Sequence, residues 1–199
     1  MSGTLQVGGI TLGTHNSGTG KVDITNAGTV ATTNINSGTI GSGVVFPDST
    51  KNVPAFQAGV SATLDIARNV DVLAPFDTEI FDTHSAYDNS SGNYKFTVPT
   101  GYAGKYAFQV FVEADDNGNT WQRCSLFYKK NAGTSQRMTD LNQSHGQNVS
   151  VSSAFVQNLS EGDYIQIYVR LGLASSGVDG GAGEILAASL FSGFRLIGV

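Results

Sequence analysis

Short runs in which apolar and polar residues alternate fill the chain from residue 55 onward, and clusters of Gly, Asn, Asp and Ser separate them. Alternation places the apolar side chains on one face, so each run predicts a half-buried strand. The predicted strands are residues 94–98, 105–112, 125–129, 149–156 and 164–169. Many short strands with regular turns are typical of antiparallel sandwiches and jelly rolls, and about 145 residues suffice to bury a core. Residues 55–199 are therefore predicted to form an all-β domain.

The N-terminal part of the chain follows a different pattern, in which Asn-x-Gly-Thr recurs every ten residues with its glycines at Gly18, Gly28 and Gly38. Between these turn signals lie short β-prone pieces at residues 4–7, 10–12, 22–24 and 30–33. Each piece offers about two apolar side chains, too few to offset a backbone entropy of roughly 1–2 kcal/mol per residue. We therefore expect residues 1–45 to be an extended β-arm, ordered by neighbouring chains or by a surface on which it lies. A Gly/Thr-rich linker is the alternative.

The boundary between the two regions is sharp. Phe46 is the only aromatic residue before position 55, and Pro47 and Pro54 restrict the backbone around them to extended conformations. We therefore divide the chain into an arm at residues 1–45, a linker at residues 46–54 and a head at residues 55–199.

Charge and composition exclude several classes of function. The formal net charge is -5, and charged residues make up 14% of the chain, so the basic surface that nucleic-acid binding requires is missing. No apolar run approaches the ~18 residues of a membrane helix, and the first residues lack the features of a signal peptide. We expect synthesis in the cytoplasm of a host cell and no partnership with nucleic acid or membrane. The single cysteine, Cys124, is interpreted as a small buried hydrophobe.

Six segments of the predicted head, taken in order, resemble the successive signatures of the C1q/tumour-necrosis-factor globular head. They are FQA at 56–58, FDTEIFD at 76–82, YDNSSGNYKFTVP at 87–99, GKYAF at 104–108, LSEGD at 159–163 and SLFSGFRL at 189–196. The sequence departs from the family in a longer turn at residues 100–103 and in the lack of a collagen-like run before the head. The resemblance implies a ten-stranded C1q/TNF-like antiparallel jelly roll that forms a homotrimer through a flat, aromatic-lined face.

Four aromatic residues are candidates for that face or for the core: Tyr106, Phe108, Phe191 and Phe194. Tyr106 and Phe108 alternate along one predicted strand and therefore share a face. Gly193 lies beside Phe194 and would permit close backbone approach in the last strand. Core and subunit-interface roles both stay open, with the core favoured for most of them.

Catalytic chemistry is not indicated. His15, His84 and His145 lie far apart in polar surroundings, and no nucleophile, base and orienting group occur together. We predict that the protein is not an enzyme and needs no cofactor.

Carboxylates and loop residues suggest binding instead. The family resemblance implies that calcium can be held near a trimer axis, for which Asp71, Asp77 and residues 115–119 offer oxygen ligands. A solvated turn is the alternative interpretation of residues 115–119. Loops rich in Asn, Ser, Asp and Tyr suit recognition of carbohydrate or protein, with Trp121, Asp115 and Asp116 as candidate contacts.

The junction NSGTIGSGVVFP at residues 36–47 is similar to junctions in fibre proteins of tailed bacteriophages. That resemblance implies a homotrimeric protein of the virion surface, whose arm at residues 1–45 binds phage capsid or tail proteins while the head projects. The short chain favours a capsid decoration or cement protein. The alternatives are a short tail fibre or receptor-binding tip that recognises host surface glycan or protein, and a free bacterial lectin-like module.

Overall fold

The computed structural model describes residues 4–7, 10–16, 21–23, 51–115, 121–142, 148–173 and 183–197. The chain divides into two compact units, Met1–Val45 and Phe46–Val199. Every regular element in the described ranges is a β-strand. Within those ranges, no helix is long and apolar enough to cross a membrane.

The first unit contains a small antiparallel sheet. Its strands are β1 (Thr4–Val7), β2 (Ile10–Asn16) and β3 (Lys21–Asp23), paired in the order β1-β2-β3. These strands therefore find main-chain partners within the arm, whereas the sequence pattern led us to expect partners from other chains. The repeat glycines Gly18, Gly28 and Gly38 lie outside the described residues.

The second unit, the head, is a sandwich of two antiparallel sheets. The first sheet has seven strands in the order β5-β15-β10-β16-β4-β7, with β13 on the other edge of β10. These strands are β4 (Ala55–Gly59), β5 (Leu64–Ile66), β7 (Thr78–Asp82), β10 (Gly104–Asp115), β13 (Val149–Leu159), β15 (Gly183–Ile185) and β16 (Leu190–Arg195). The longest strand, β10, lies centrally and pairs with β13 from Gly104 to Ala114.

The second sheet has six strands in the order β12-β11-β14-β9-β8, with β6 also paired to β14. They are β6 (Val72–Leu73), β8 (Tyr87–Asp88), β9 (Lys95–Thr97), β11 (Trp121–Lys130), β12 (Gln136–Leu141) and β14 (Tyr164–Leu173). The central pair, β11 and β14, runs in register from Arg123 opposite Gly172 to Lys130 opposite Ile165.

All five predicted strands are present, which confirms the all-β antiparallel sandwich. The head has thirteen strands in its described residues, whereas the family resemblance implied ten. A turn lies near Ser189, where the Ser189 amide donates to the Leu186 carbonyl. That turn separates β15 from β16, and both strands pair with the same edge of β10.

Aromatic rings fill the centre of the sandwich. Phe56 is stacked between Tyr87 and Phe96, with ring centroids 5.0 and 4.9 Å away, and Phe191 meets it edge-on at 4.9 Å. Around this cluster lie the inward-facing aliphatic side chains of β10, β13 and β14, most of them fully buried. Offset and edge-to-face aromatic pairs stabilise a core beyond the apolar area they bury.

Gly193 is required by the packing of that core. A Cβ atom at this position would lie 2.5 Å from Cδ1 of Phe108 and 2.9 Å from Cε1 of Phe56. The sequence predicted close backbone approach at this glycine, but the atoms that come close belong to aromatic rings.

Candidate interaction surfaces

The outward face of the first sheet is the main candidate surface. On its five adjacent strands, cross-strand partners point to the same side and form three rows. The first row is Ala55, Phe194, Ala107 and Val156; the second is Gln57, Ser192, Gln109 and Ala154; the third is Gly59, Leu190, Phe111 and Ser152. Phe81 extends the second row on β7. We call these residues the first-sheet face.

Two properties set the first-sheet face apart. None of these thirteen side chains carries a charge, although Lys105 and Glu113 lie just beyond the rows on β10 and the exposed Glu79 lies two residues from Phe81 on β7. It also exposes large apolar groups, since Val156 is 57% and Phe194 41% exposed in the isolated chain. Water-exposed apolar groups on a flat, uncharged surface favour burial against another protein surface.

A hollow of about 300 Å³ opens on this face. Its lining residues are Ala107, Phe108, Gln109, Ala154, Ser192, Gly193 and Phe194. It forms because Ala107, Ala154 and Ser192 are small where they surround the larger ring of Phe194. The hollow is wide enough for an inserted side chain.

The four candidate aromatics divide between two environments. Tyr106, Phe108 and Phe191 face inward and are 0–2% exposed, so all three belong to the core of this chain. Phe194 faces outward in the first row.

The candidate recognition loop is described only at its ends. Asp115 ends β10, half-buried and opposite Glu184 of β15. Trp121 begins β11, where its backbone lies opposite Leu173. Asp116 and the remainder of the loop up to residue 120 lie outside the described residues.

The candidate calcium ligands already have protein partners. Asp71 Oδ1 accepts a hydrogen bond from Arg170 Nε at 2.8 Å, and its other oxygen accepts one from the Ser135 hydroxyl. Burial alone would raise the pKa of Asp77, but hydrogen bonds from the Ser61 hydroxyl and amide outweigh it and lower that pKa. In the described part of the chain, no three His, Cys, Asp or Glu side chains are grouped as a metal site would require.

Two further candidates for chemistry, His84 and Cys124, have structural roles. His84 lies between two hydroxyls, with Nδ1 2.8 Å from Thr83 Oγ1 and Nε2 2.9 Å from the Tyr102 hydroxyl. Cys124 is buried, and burial raises the pKa of its thiol to about 12. A thiol with so high a pKa stays protonated at neutral pH and is a poor nucleophile.

Sequence reasoning missed most of the first-sheet face. Val156, Ala107 and Ala55 join Phe194 in one row only through pairings between segments that lie far apart in the sequence. The alternation within β13 gave one usable signal. Val149 and Val151 point inward, and Val156 lies an odd number of residues from both, so it points to the opposite face.

Comparison with known proteins agrees with this architecture. The sequence profile of the C1q domain matches residues 55–196. Among solved structures, the chain is similar to the globular domain of zebrafish complement 1qA, with 20% identity, a TM-score of 0.50, and coverage of 72% of this chain and 97% of that one. Murine APRIL is also similar, with 10% identity, a TM-score of 0.48, and coverage of 71% and 98%. A comparison with curated proteins gave no match.

The head therefore defines a C1q/TNF-like jelly-roll module. Because the C1q profile spans more than half of the chain, this protein belongs to the C1q domain family. The predicted fold, a C1q/TNF-like antiparallel jelly roll, is confirmed.

Proposed function

We propose that the protein is a non-enzymatic homotrimer of a tailed-bacteriophage virion surface, whose heads associate through the first-sheet face and whose N-terminal arm attaches it to the particle. The observation that supports trimerisation is the uncharged first-sheet face with its exposed Val156 and Phe194.

Three copies related by a threefold axis would bury this face without leaving an open end. A heterologous interface joins two different surface patches. In a closed ring both patches of every subunit are buried, whereas in an open assembly further subunits add at the ends and form a fibre. The small residues around the hollow would allow a neighbouring copy to approach closely, and the ring of Phe194 would supply apolar contact. The absence of charge along the three rows spares the interface the desolvation cost of buried ions.

Sedimentation of the purified full chain tests the assembly. Wild-type protein is expected at three times the chain mass, and Phe194→Glu is expected to be monomeric because it places three carboxylates at the interface. Val70→Glu is the matched control, since Val70 is 48% exposed in the loop before β6 and lies off the first-sheet face. Circular dichroism checks that each variant keeps its β-structure. A wild-type monomer, or a Phe194→Glu trimer as stable as the control, would contradict the proposal.

Attachment to a virion is supported by the arm. Its ten-residue Asn-x-Gly-Thr repeat offers few apolar side chains for a core of its own. Strands of this kind gain stability when a partner supplies further main-chain pairing and apolar area. An extended arm across neighbouring capsid subunits would supply both, which favours a decoration or cement role.

Particle localisation tests attachment. Immunogold labelling with an antibody to the head, or cryo-electron microscopy, should show many copies over the capsid lattice. Deletion of residues 1–45 should leave a trimer that no longer binds particles. A few copies at the tail would replace the decoration role with that of a tail fibre or receptor-binding tip. Absence from all particles would overturn the virion assignment and favour a free lectin-like module.

A further inference from the structure

The outward face of the second sheet carries a line of side chains that the proposed assembly leaves unused. Gln166 of β14 pairs with Lys95 of β9 on one side and with Lys129 of β11 on the other. The three residues form a row across the sheet, which we call the lysine row. Two interstrand spacings place the backbones of the lysines about 10 Å apart.

Tyrosine rings position both lysines. Lys129 Nζ lies 4.0 Å from the ring centroid of Tyr168, and Lys95 Nζ lies 5.2 Å from that of Tyr164. A cation over an aromatic face is attracted by the ring quadrupole. Each ammonium group is therefore held against the sheet and does not extend freely into solvent. Gln166 is fixed between them, because its Nε2 donates to the Asn93 carbonyl at 2.7 Å.

The arginines of the same face are already engaged. Arg137 and Arg170 each lie 5.6 Å from the ring centroid of Phe127, and they cover it so well that it is 5% exposed. Arg137 is paired with Asp140, and Arg170 is paired with Asp71. Because these arginines pair with carboxylates and cover Phe127, the lysine row is the part of the face whose positive charges can bind a ligand.

Neither lysine of the row forms an ion pair with a carboxylate in the described part of the chain. The nearest acidic position by register is Asp88, opposite Lys95 on β8. Its carboxylate accepts hydrogen bonds from the Ser90 amide and hydroxyl, which lower its pKa, and the charge of Lys95 lowers that pKa further without forming an ion pair. The face as a whole carries five of the chain's eleven Lys and Arg residues together with two carboxylates, Asp88 and Asp140, although the net charge of the chain is -5. The five are Lys95, Arg123, Lys129, Arg137 and Arg170.

The residue types on the face of the second sheet indicate which class of anionic partner it can bind. Among the side chains that the structure describes, none of the large exposed apolar residues lies on β8, β9, β11, β12 or β14, so the described part of the face offers no exposed aliphatic anchor of the kind typical of protein interfaces. Double-stranded DNA presents one charge per about 1.7 Å, much denser than two lysines about 10 Å apart. A polymer with widely spaced anions and many hydroxyls fits better. A lysine ammonium group can pair with an anion in many orientations, and a tyrosine ring supplies a rigid surface for hydrogen bonding and contact.

We infer that the lysine row and its flanking tyrosines, Tyr164 and Tyr168, form a binding surface for an acidic polysaccharide. The ammonium groups pair with carboxylates of two separated sugar units, and the tyrosines contact the sugar between them. This inference concerns the sheet opposite the first-sheet face and does not depend on where the arm attaches.

Binding of short oligomers to the full chain tests the inference. Isothermal titration calorimetry at low salt would compare hexagalacturonate with uncharged maltohexaose and with a hexaglutamate peptide. We expect hexagalacturonate to bind, with affinity falling as salt rises, and the other two to bind at least about tenfold more weakly. The double variant Lys95→Gln/Lys129→Gln should weaken hexagalacturonate binding about tenfold.

The matched control is Lys21→Gln/Lys51→Gln, which removes the same charge outside the strands of the head and should bind like wild type. Equal binding by the two double variants would overturn the site. Hexaglutamate bound as tightly as hexagalacturonate would overturn the assignment to a polysaccharide, and so would equal binding of maltohexaose. Sedimentation of the same variants separates this result from assembly, because loss of binding by a trimer leaves the proposed function standing.

Discussion

At the scale of single residues, Gly193 leaves less room for a Cβ atom than the other described glycines. The ring of Phe108 fills the space a Cβ would need, and its neighbour Phe155, 5.0 Å away, limits any retreat. We predict that Gly193→Ala lowers the free energy of unfolding by about 1–3 kcal/mol, because overpacking forces rings off their preferred rotamers. Urea denaturation monitored by circular dichroism measures the change.

Gly59→Ala provides the comparison, at the same protein concentration and with sedimentation to check that assembly is unchanged, because Gly59 lies on the first-sheet face. A Cβ at Gly59 would meet Leu190 at 3.4 Å and Ile80 at 3.6 Å, which are ordinary contacts. This substitution should change the free energy of unfolding by less than about 0.5 kcal/mol. Similar losses in the two variants would show that the ring packing at Gly193 is not the cause.

Asp163 is a described carboxylate whose charge contributes to stability in a way that depends on acid pH. Its carboxylate pairs with Lys130 Nζ at 2.7 Å, accepts a hydrogen bond from Asn131, and accepts another from the Ser160 amide at 2.7 Å. These partners, Lys130 first, lower the pKa of Asp163 from 3.8 to about 2. The unfolded chain therefore binds the proton more readily. Stability from this group is complete above pH 4 and is lost as the pH falls toward 2.

We predict that Asp163→Asn lowers the urea midpoint at pH 7 and reduces the further loss of stability between pH 4 and pH 2. Urea titrations at several pH values measure both effects. Asp65→Asn, which removes an exposed carboxylate from β5, is the control for the loss of one negative charge. An unchanged slope in Asp163→Asn would contradict the assignment.

At the scale of elements, the edge strand β12 depends on one carboxylate. Asp140 binds Arg123 through both of its oxygens at 2.9 Å, accepts a hydrogen bond from the Ser125 hydroxyl, and pairs with Arg137. We predict that Asp140→Ala speeds amide hydrogen exchange in residues 136–141 severalfold, because the strand loses its side-chain attachment to β11. Hydrogen exchange with mass spectrometry measures this.

The exchange of β10 should not change in Asp140→Ala, since β10 lies in the other sheet. Gln136→Ala is the control on the same strand, where the side chain bonds only the nearby Thr134 carbonyl. Equal acceleration in the two variants would indicate general fraying of β12.

The elements also show what sequence could and could not predict. Strands such as β10 and β14 are long, and their apolar and polar residues alternate regularly, so the pattern identifies them as strands. The sequence of β12, QRMTDL, alternates weakly because a bulge beside Leu126 shifts its register, and it was not predicted. The lysine row could not be predicted at all, because Lys95 and Gln166 meet only after β9 pairs with β14.

At the scale of the whole molecule, the two outward faces of the head differ in the residues they expose. The first-sheet face is uncharged and exposes Phe194 and Val156, whereas the second-sheet face carries five cations. Association of the heads through the first-sheet face would leave the second-sheet face exposed to solvent on every subunit. A trimer would then present its lysine rows three times, and multivalency would strengthen binding to a long polymer beyond that of one site.

If folding and association are coupled, thermal stability must depend on protein concentration, because association favours the folded state by mass action. For three chains that fold together, each tenfold rise in concentration contributes about 0.9 kcal/mol per chain. A hundredfold range should therefore raise Tm by about 4–8 °C for a domain of this size. Differential scanning calorimetry of the wild-type chain measures the shift. Phe194→Glu should melt at a constant temperature over the same range, while Val70→Glu should follow the wild type. A concentration-independent Tm in the wild type would mean that the heads fold without one another, and the exposed ring of Phe194 would then need a different partner.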